Sequence, residues 1–243
     1  MSIPKIIHYC WFGGNEKPEI VKKCIESWKK YMPDYEIKEW NESNYDCLKN
    51  RYIKEAYNSK KWAFVSDYAR FDILYLYGGI YFDTDVELLK SIPHEILANK
   101  AFTCTEPTGK VNPGLIFACE KNNFIAKKMI DTYNQDSFLD DKKNPICKTV
   151  NAYITEILYR YGYEEKNKLQ KVNDLVIYPS EYFCGFDLDI MEKDITQNTI
   201  SVHHYSGTWI KQGLKQKIQK IIKRKFGIKF YRKLLMILRK VKR

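Results

Sequence analysis

One segment of the sequence narrows the possible folds: the pattern of an apolar helix leads directly into the pattern of an apolar strand. Residues 61–77 (KWAFVSDYARFDILYLY) have the composition and length of a helix, and the Gly78-Gly79 pair is a normal stop signal for it. The next residues, Ile-Tyr-Phe, form a β-branched and aromatic run that ends at Asp83-Thr84-Asp85. A helix followed at once by a buried strand predicts a layered α/β domain.

The rest of the chain continues this alternation of strands and helices. Residues 5–12 read as a buried first strand, residues 18–32 as an amphipathic helix with Pro18 near its start, and residues 35–40 as a short strand. Further strands are predicted at 101–105, 114–119 and 175–179, and further helices at 123–135 and 146–161. The β-α-β opening and its continuation indicate a single α/β domain.

The basic character of the chain is concentrated in its C-terminal tail, residues 211–243. That tail has 14 Lys and Arg and no Asp or Glu, and subtracting them from the net charge of +11 leaves −3 for residues 1–210. Apolar residues at helical spacing on both sides of Gly227 predict two basic amphipathic helices. We therefore divide the chain into a domain at 1–210 and a tail at 211–243.

Three interpretations of the tail are open: attachment to an anionic membrane, binding of nucleic acid, or a helix packed on the domain with a solvated basic face. The membrane is favoured, because apolar stripes insert into lipid whereas a nucleic-acid-binding arm does not require them. The acidic domain also argues against a partner made of nucleic acid.

The cysteines and the N-terminal segment bear on the compartment. The seven Cys are scattered and form no C-x-x-C, which favours free thiols in a reducing compartment over a disulfide framework or a zinc site. The N-terminal segment lacks a basic region followed by an apolar core, and no apolar run has the length of a membrane span. We expect a cytoplasmic protein, peripheral on the inner face of the membrane.

The D-T-D motif is the first candidate functional site. In an extended segment, side chains at i and i+2 point to the same face, so Asp83 and Asp85 would aim at one point. Mg²⁺ and Mn²⁺ prefer oxygen ligands and are often held by one or two carboxylates together with substrate phosphates. A solvated turn is the alternative. An EF-hand is excluded, because its Gly and its distal Glu are absent at the required spacing. A glycoside-hydrolase pair is disfavoured, because the two carboxyl groups of such a pair flank the bond from opposite sides.

Three further sets of residues are candidates. In SVHHYSGTW (201–209), His203 or His204 would supply a metal ligand, and Ser206, Gly207 and Trp209 would donate hydrogen bonds to phosphate; the alternative is an ordinary strand end. In the 61–77 helix, Asp67 and Arg70 lie at i, i+3 beside Ser66, as a clamp for sugar hydroxyls or as a structural salt bridge. Trp11, after the first strand, would stack on a nucleobase or pack in the core, and the residues do not distinguish these.

These segments together resemble one known family, the DXD-containing glycosyltransferases of family 32. The family includes capsular-polysaccharide sugar transferases of bacteria and initiating mannosyltransferases of the fungal Golgi, and it is related in fold to the glucosylating domains of large bacterial toxins. The resemblance covers about residues 3–209, and it rests on IPKIIHYCWFGG, FVSDYARFDILYLYGGIYFDTDVE, VNPGLIFA and HHYSGTW. It implies a GT-A type fold, in which helices flank a mixed central sheet, and a nucleotide-diphosphate-sugar donor used with Mn²⁺ or Mg²⁺.

The resemblance also implies roles for individual residues. Asp85 would be the main metal ligand, Asp83 would contact the ribose and the metal, and His204 would complete the metal shell in preference to His203. The donor would be held by Trp11 at the base, by Ser206 and Trp209 at the diphosphate, and by Ser66, Asp67 and Arg70 at the sugar, with Asn112 near the sugar and acceptor. Related toxins place Asn and Glu ahead of Ser-x-Trp, whereas this chain has His-His and S-G-T-W, so either Ser206 or Thr208 would meet the phosphate.

The sequence thus predicts a retaining, metal-dependent glycosyltransferase. It would transfer a sugar, with a UDP-sugar as the favoured donor, to a lipid-linked glycan acceptor in surface or capsular polysaccharide synthesis. No covalent nucleophile is evident, so front-face attack by the acceptor is expected. Two rival hypotheses stay open: a metal-dependent phosphodiester or pyrophosphate hydrolase, and a non-catalytic module that binds lipid or nucleic acid.

Overall fold

A computed structural model of the chain describes residues 2–187 and 192–206. Within these ranges the largest element is a mixed sheet of seven strands. Its strands are β1 (Ile6–Cys10), β2 (Glu36–Trp40), β3 (Gly79–Tyr81), β5 (Ala101–Cys104), β6 (Phe117–Cys119), β7 (Gln170–Val172) and β8 (Leu175–Tyr178). Two small antiparallel sheets pair β4 (Val86–Leu88) with β11 (Ser201–His203) and β9 (Phe186–Asp187) with β10 (Glu192–Lys193).

The strand order in the large sheet is β2-β1-β3-β6-β5-β8-β7. β1 runs parallel to both β2 and β3, and β5 runs parallel to β8. β6 lies antiparallel between β3 and β5, and β7 is antiparallel to β8. The carboxyl ends of β2, β1, β3, β5 and β8 therefore meet at one edge of the sheet, which we call the carboxyl edge. In open α/β sheets this edge is where ligands bind.

Seven helices accompany the strands in the described ranges. They are α1 (Glu19–Tyr31), α2 (Arg51–Asn58), α3 (Trp62–Tyr77), α4 (His94–Leu97), α5 (Phe124–Gln135), α6 (Val150–Tyr159) and α7 (Ser180–Phe183). The core has two layers, one on each face of the sheet, because successive strand residues point to opposite faces. On one face α2, α3, α5 and α6 pack together, and α1 packs on the other.

The predicted elements are largely confirmed. The helix predicted at 61–77 is α3, the helix at 18–32 is α1, and the strands at 5–12 and 35–40 are β1 and β2. The helix predicted at 146–161 begins later, because the Thr149 side chain caps it by accepting from the Ala152 N–H. The pattern did not predict α2, which the Asn50 side chain caps by accepting from the Ile53 N–H.

One prediction about the D-T-D motif is wrong. The segment does not stay extended: β3 ends at Tyr81, residues 84–85 form a turn, and the Val86 N–H donates to the Asp83 carbonyl oxygen at 3.1 Å. The chain then enters β4, which belongs to a different sheet. The strand-alternation argument that aimed Asp83 and Asp85 at one point therefore does not hold, and the turn decides where each carboxylate lies.

Helix α1 holds β4 in place. The Trp28 indole N–H donates to the Val86 carbonyl oxygen at 2.8 Å, and the Ser27 hydroxyl accepts from the Leu88 N–H at 2.9 Å. Because Trp28 is fully buried and stacks on Phe82, the turn between β3 and β4 is anchored on both sides.

Two chain-wide features complete the fold. All seven cysteines are unpaired, and six of them are buried. Among the helices at 2–187 and 192–206, none combines the length and the apolar character that crossing a membrane requires. The predicted basic tail at 211–243 and its boundary with the domain lie outside the described residues.

Candidate functional site

The carboxyl edge collects polar residues from several strands. The pairing of His8 with Tyr81 brings the ends of β1 and β3 side by side, so Trp11 and Asp83 follow neighbouring strands. Glu106 follows β5 at the same edge. This arrangement is the chain's candidate site, and its side chains fall into two groups, one on each side of the D-T-D turn.

The first group links α3 to Asp83. Asp67 and Arg70 lie one turn apart on α3. Arg70 Nη2 donates to Asp67 Oδ1 at 2.7 Å and forms an ion pair with Asp83 Oδ1 at 3.1 Å. Arg70 is 2% exposed and lies over the Tyr81 ring. Ser66 sits one turn before Arg70, whose Nε donates to the Ser66 carbonyl oxygen at 3.4 Å. The structure thus brings these predicted site residues together.

Burial governs the electrostatics of this group. It raises the pKa of Asp67 to about 7, with Asp83 adding to the rise and Arg70 opposing it. Burial lowers the pKa of Arg70, but Asp83 and the other anionic neighbours outweigh it, so the net shift is upward and Arg70 stays charged. Among the described residues, Arg70 Nη1 has no hydrogen-bond partner. A buried donor without a partner is costly, so a ligand oxygen at Nη1 would be stabilised.

The second group surrounds Asp85. His203 Nε2 lies 2.9 Å from Asp85 Oδ1, and both the backbone N–H and the hydroxyl of Ser206 donate to Asp85 Oδ2, at 2.8 and 2.9 Å. His203 reaches this position because β11 pairs with β4 in a register that places it opposite Val86. Asp85 is therefore held by three donors from the end of the described chain.

The charges of this pair support each other. Burial alone would raise the pKa of Asp85, but His203 and the Ser206 hydrogen bonds outweigh it and hold the pKa well below its usual value. Burial likewise lowers the pKa of His203, yet the Asp85 carboxylate outweighs it and the net shift is upward. Asp85 is an anion and His203 favours its cationic form.

The two histidines of the His-His sequence lie in different environments. His204, which the resemblance favoured as the metal ligand, places its Nε2 2.8 Å from Glu87 Oε2, away from the D-T-D turn. Glu87 also accepts from Lys23 and Lys193. His203, the less favoured choice, is the histidine at Asp85. β11 ends at His203 and His204 follows it, and only the pairing of β11 with β4 shows which of the two side chains faces the site.

Asn112 occupies a turn that packs against Asp83. Its Oδ1 accepts from the Gly114 N–H at 2.8 Å, and the Asp83 N–H donates to the Gly114 carbonyl oxygen at 3.0 Å. A Cβ atom on Gly114 would overlap the Asp83 carboxylate, so glycine is required by this close approach. Asn112 Nδ2 donates to Glu106 at 2.9 Å.

Sequence reasoning missed Glu106 and Gly114. Glu106 lies two residues after β5, just as Asp83 lies two residues after β3. A search for polar residues directly after each predicted strand would have found it. No sequence signal separates Gly114 from other loop glycines, because its role depends on contact with a distant segment.

The remaining predicted residues lie at the rim of the site or beyond the described ranges. Trp11 is half-buried, and its indole N–H donates to the Asn15 carbonyl oxygen at 2.7 Å. Its place after β1 is compatible with stacking on a base. Trp209, Gly207 and Thr208 lie outside the described residues.

The fit of a divalent cation can be judged from the two carboxylates. Their oxygen donors are of the type that Mg²⁺ and Mn²⁺ prefer, and the Asp83 side chain is 31% exposed. Within the described residues there is no group of three or more His, Cys, Asp and Glu placed to hold a metal. The oxygen chemistry of Asp83 and Asp85 therefore fits such a cation, with a ligand's phosphate oxygens as further donors.

Comparison with known proteins bears on this site. Residues 18–103 match the family described as "Glycosyltransferase sugar-binding region containing DXD motif". The chain contains a glycosyltransferase region. That region spans α1 to β5, including Asp67, Arg70 and the D-T-D turn.

Relatives of this glycosyltransferase region are found in a yeast and a virus. Inositol phosphoceramide mannosyltransferase 3 of Schizosaccharomyces pombe is 33% identical over 129 residues, which is 48% of this chain and 34% of the yeast protein. An uncharacterized glycosyltransferase of Acanthamoeba polyphaga mimivirus is 27% identical over 190 residues, which is 74% of this chain and 72% of the viral protein. These names and the family match confirm the predicted enzyme class, a glycosyltransferase.

The extent of these matches is partial. This chain spans about a third of the length of the yeast mannosyltransferase. Among solved structures, PaToxG Glycosyltransferase shares 23% identity and a TM-score of 0.48, covering 65% of this chain and 70% of that chain.

Proposed function

We propose that the chain is a retaining glycosyltransferase that uses a nucleotide-diphosphate sugar and a divalent cation, and that it belongs with the family 32 enzymes in a GT-A type fold. One observation carries the proposal. The two carboxylates of the D-T-D turn lie at the carboxyl edge of a mixed sheet, each paired with a buried cationic partner, Arg70 for Asp83 and His203 for Asp85. The Asp83 carboxylate is partly open to solvent, whereas both Asp85 oxygens accept from His203 and Ser206, so a bound cation would join or replace these donors at Asp85.

Asp83 and Asp85 would hold Mn²⁺ or Mg²⁺ together with the diphosphate of the donor. When bound, the cation would act as a Lewis acid that neutralises negative charge on the leaving diphosphate. His203 supports this role by fixing the Asp85 carboxylate through Oδ1, as outer hydrogen-bond partners do for metal ligands. We therefore assign to His203 the part that the resemblance gave to His204.

The remaining residues would bind and orient the donor. Asp67 and Arg70 would hold the sugar, with the unpartnered Arg70 Nη1 as a hydrogen-bond donor to a hydroxyl or phosphate oxygen. Trp11 would stack on the base, and Ser206 and Trp209 would donate to the diphosphate. Asn112 would lie beside the sugar and the acceptor. Since no covalent nucleophile has been assigned, the acceptor would attack the sugar from the same face from which the leaving group departs. The leaving phosphate would take the proton of the acceptor.

A lipid-linked acceptor is the proposed substrate, in the synthesis of a surface or capsular polysaccharide. The yeast relative's name refers to a mannosyltransferase for inositol phosphoceramide, a lipid, which supports an acceptor of this kind. The basic tail at 211–243 would hold the enzyme on the anionic inner face of the membrane, where each Lys or Arg near the surface contributes about 1 kcal/mol.

The decisive experiment is a screen of UDP-, GDP- and other nucleotide sugars with and without Mn²⁺, using Asp85→Asn and a matched surface control. We expect slow Mn²⁺-dependent cleavage of one donor to free sugar and nucleotide diphosphate. Asp85→Asn should lower that rate roughly 100- to 1000-fold, the scale seen when a main electrostatic group is lost. The control, Asp131→Asn, alters an exposed pair with Lys127 and should keep the wild-type rate.

The products separate the proposal from its rivals. A pyrophosphate hydrolase would release nucleoside monophosphate and sugar phosphate. A binding module would release nothing, and a folded protein with no turnover of any donor would contradict the glycosyltransferase proposal. For the tail, the full chain should sediment with phosphatidylglycerol vesicles at low salt and not with phosphatidylcholine vesicles. Equal binding to both would contradict an electrostatic attachment.

A further inference from the structure

Glu106 lies at the carboxyl edge without a role in the proposed chemistry. It is half-buried, and backbone hydrogen bonds close the loop that carries it: the Glu106 N–H donates to Lys110 O at 2.8 Å and the Gly109 N–H donates to Glu106 O at 2.9 Å. The loop is therefore a fixed support, and the Glu106 side chain starts from a defined backbone position.

The Glu106 carboxylate bonds two side-chain amides through one oxygen. Oε1 accepts from Asn112 Nδ2 at 2.9 Å and from Asn151 Nδ2 at 3.1 Å. Among the described residues no Lys or Arg forms an ion pair with Glu106. A half-buried carboxylate that accepts from two side-chain amides orients those amides.

The Asn112 amide passes this orientation to the turn at 112–114. With Nδ2 directed at Glu106, Oδ1 faces the other way and accepts from the Gly114 N–H at 2.8 Å. A carboxylate oxygen accepts hydrogen bonds and does not donate them. Glu106 therefore excludes the flipped Asn112 amide, in which the amide oxygen would face the carboxylate. Glu106 therefore selects the one orientation of Asn112 that closes the turn.

The 112–114 turn contacts Asp83 directly. The Gly114 carbonyl oxygen accepts from the Asp83 N–H at 3.0 Å, and the Gly114 Cα approaches the Asp83 carboxylate so closely that no Cβ fits between them. A shift of this turn would move both the backbone and the carboxylate of Asp83. A continuous series of contacts thus joins Glu106 to Asp83 through Asn112 and Gly114.

We propose that Glu106 is a positioning residue: through the Asn112 amide and the 112–114 turn, it sets the place of the Asp83 carboxylate. The contacts stand independently of the reaction, and only the activity readout below rests on the proposed function. Outer hydrogen-bond partners of this kind typically change metal affinity or activity 10- to 100-fold when removed.

The test compares three variants at position 106 with a matched control. Glu106→Met keeps the length but removes the acceptor, Glu106→Ala removes the whole side chain, and Glu106→Gln keeps an acceptor oxygen. The control is Glu55→Leu, because Glu55 is also half-buried and fastens a loop by accepting from the Phe138 and Leu139 N–H groups. A general loss of stability would appear in the control as well as in the position-106 variants.

The first readout needs no turnover. Hydrogen exchange of the Asp83 backbone amide, followed by NMR, reports directly on its bond to Gly114. We expect protection of that amide to fall about 10-fold in Glu106→Met and Glu106→Ala, to fall less in Glu106→Gln, which still accepts but no longer excludes the flipped Asn112 amide, and to be unchanged in Glu55→Leu. Wild-type protection in both Glu106→Met and Glu106→Ala would overturn the proposal, and so would an equal loss of protection in Glu55→Leu.

The second readout is the Mn²⁺ concentration for half-maximal donor cleavage. It should rise roughly 10-fold in Glu106→Met, rise less in Glu106→Gln, and be unchanged in Glu55→Leu. A Gln variant as impaired as the Met variant would overturn positioning through the hydrogen bond. If the wild-type protein cleaves no donor, the proposed function fails, while hydrogen exchange still decides the role of Glu106.

Discussion

Two buried histidines show how differently the sheet treats polar groups in its interior and at its carboxyl edge. His8, in the middle of β1, donates from Nε2 to the Gly78 carbonyl oxygen at 2.9 Å and accepts at Nδ1 from the Trp40 indole N–H at 3.1 Å. Burial, helped by Lys38, lowers its pKa to about 4, although the Gly78 bond opposes the shift. His203 is also buried, yet its pKa is raised because Asp85 outweighs the burial.

The two pKa shifts differ because the histidines have different hydrogen-bond partners, since both side chains are buried. At His8 both ring nitrogens are bonded to neutral groups, so the imidazole is complete without a proton. At the carboxyl edge the partners are ions, and bonding capacity remains: within the described part of the chain, Arg70 Nη1 and His203 Nδ1 have no hydrogen-bond partner. Both ring nitrogens of His8 are bonded, whereas these two nitrogens of the edge are not bonded to any described residue.

The largest effect is expected from breaking the ionic arrangement at Arg70. Arg70→Met removes the cation shared by Asp67 and Asp83, and loss of one partner from a buried ion pair costs about 3–5 kcal/mol. Urea denaturation at pH 7 measures the unfolding free energy. The control is Arg51→Met, which removes a solvent-exposed guanidinium from its pair with Glu55 and should leave the unfolding free energy near the wild-type value. Equal losses in the two variants would show that the edge is not held by its buried ions.

A second effect tests the neutral histidine. Between pH 4 and pH 6.5 the unfolded chain binds a proton at position 8 that the folded chain does not, so the unfolding free energy rises with pH in this window. The rise from His8 amounts to at most about 3 kcal/mol. Urea denaturation across this pH range should show a flatter rise for His8→Gln than for wild type.

The control for that measurement is His94→Gln, at an exposed position, which should keep the wild-type slope. The difference between variant and wild type is the relevant quantity, because His203 contributes with the opposite sign: its raised pKa favours the folded state at low pH, and that contribution is lost as pH rises through the folded pKa. An unchanged slope in His8→Gln would mean that His8 takes up a proton in the folded protein.

The smallest effect is expected when the two edge histidines are compared with each other. His203→Gln should lower donor cleavage about 10- to 100-fold, since it removes the partner that fixes Asp85. His204→Gln should cost less, because His204 bonds Glu87, which keeps Lys23 and Lys193 as partners. Steady-state kinetics at saturating Mn²⁺ measures both. A greater loss of donor cleavage in His204→Gln than in His203→Gln would instead favour His204 as the metal ligand, as the resemblance implied.

Much of the scaffold could be predicted because its signals are local. The apolar length of 61–77 and the glycines after it predict α3 and its end, and the run at 5–12 predicts β1. The candidate residues Asp67, Arg70, Asp83 and Asp85 follow from those elements. The short helices α4 and α7 and the strands β7, β9 and β10 carry too few residues for a periodic signal, so they were missed.

Which chemical groups lie at the carboxyl edge follows from the amino-acid sequence, because residue type and the order of strands and helices are local properties of the chain. The contacts that those groups make depend on the packing of distant segments. The turn at Asp83-Thr84-Asp85, the choice of His203 over His204, and the contacts of Gly114 and Glu106 all depend on which distant segments pair. Strand pairing is set by the total free energy of the packed sheet, and a one-residue change of register would reverse which histidine faces Asp85.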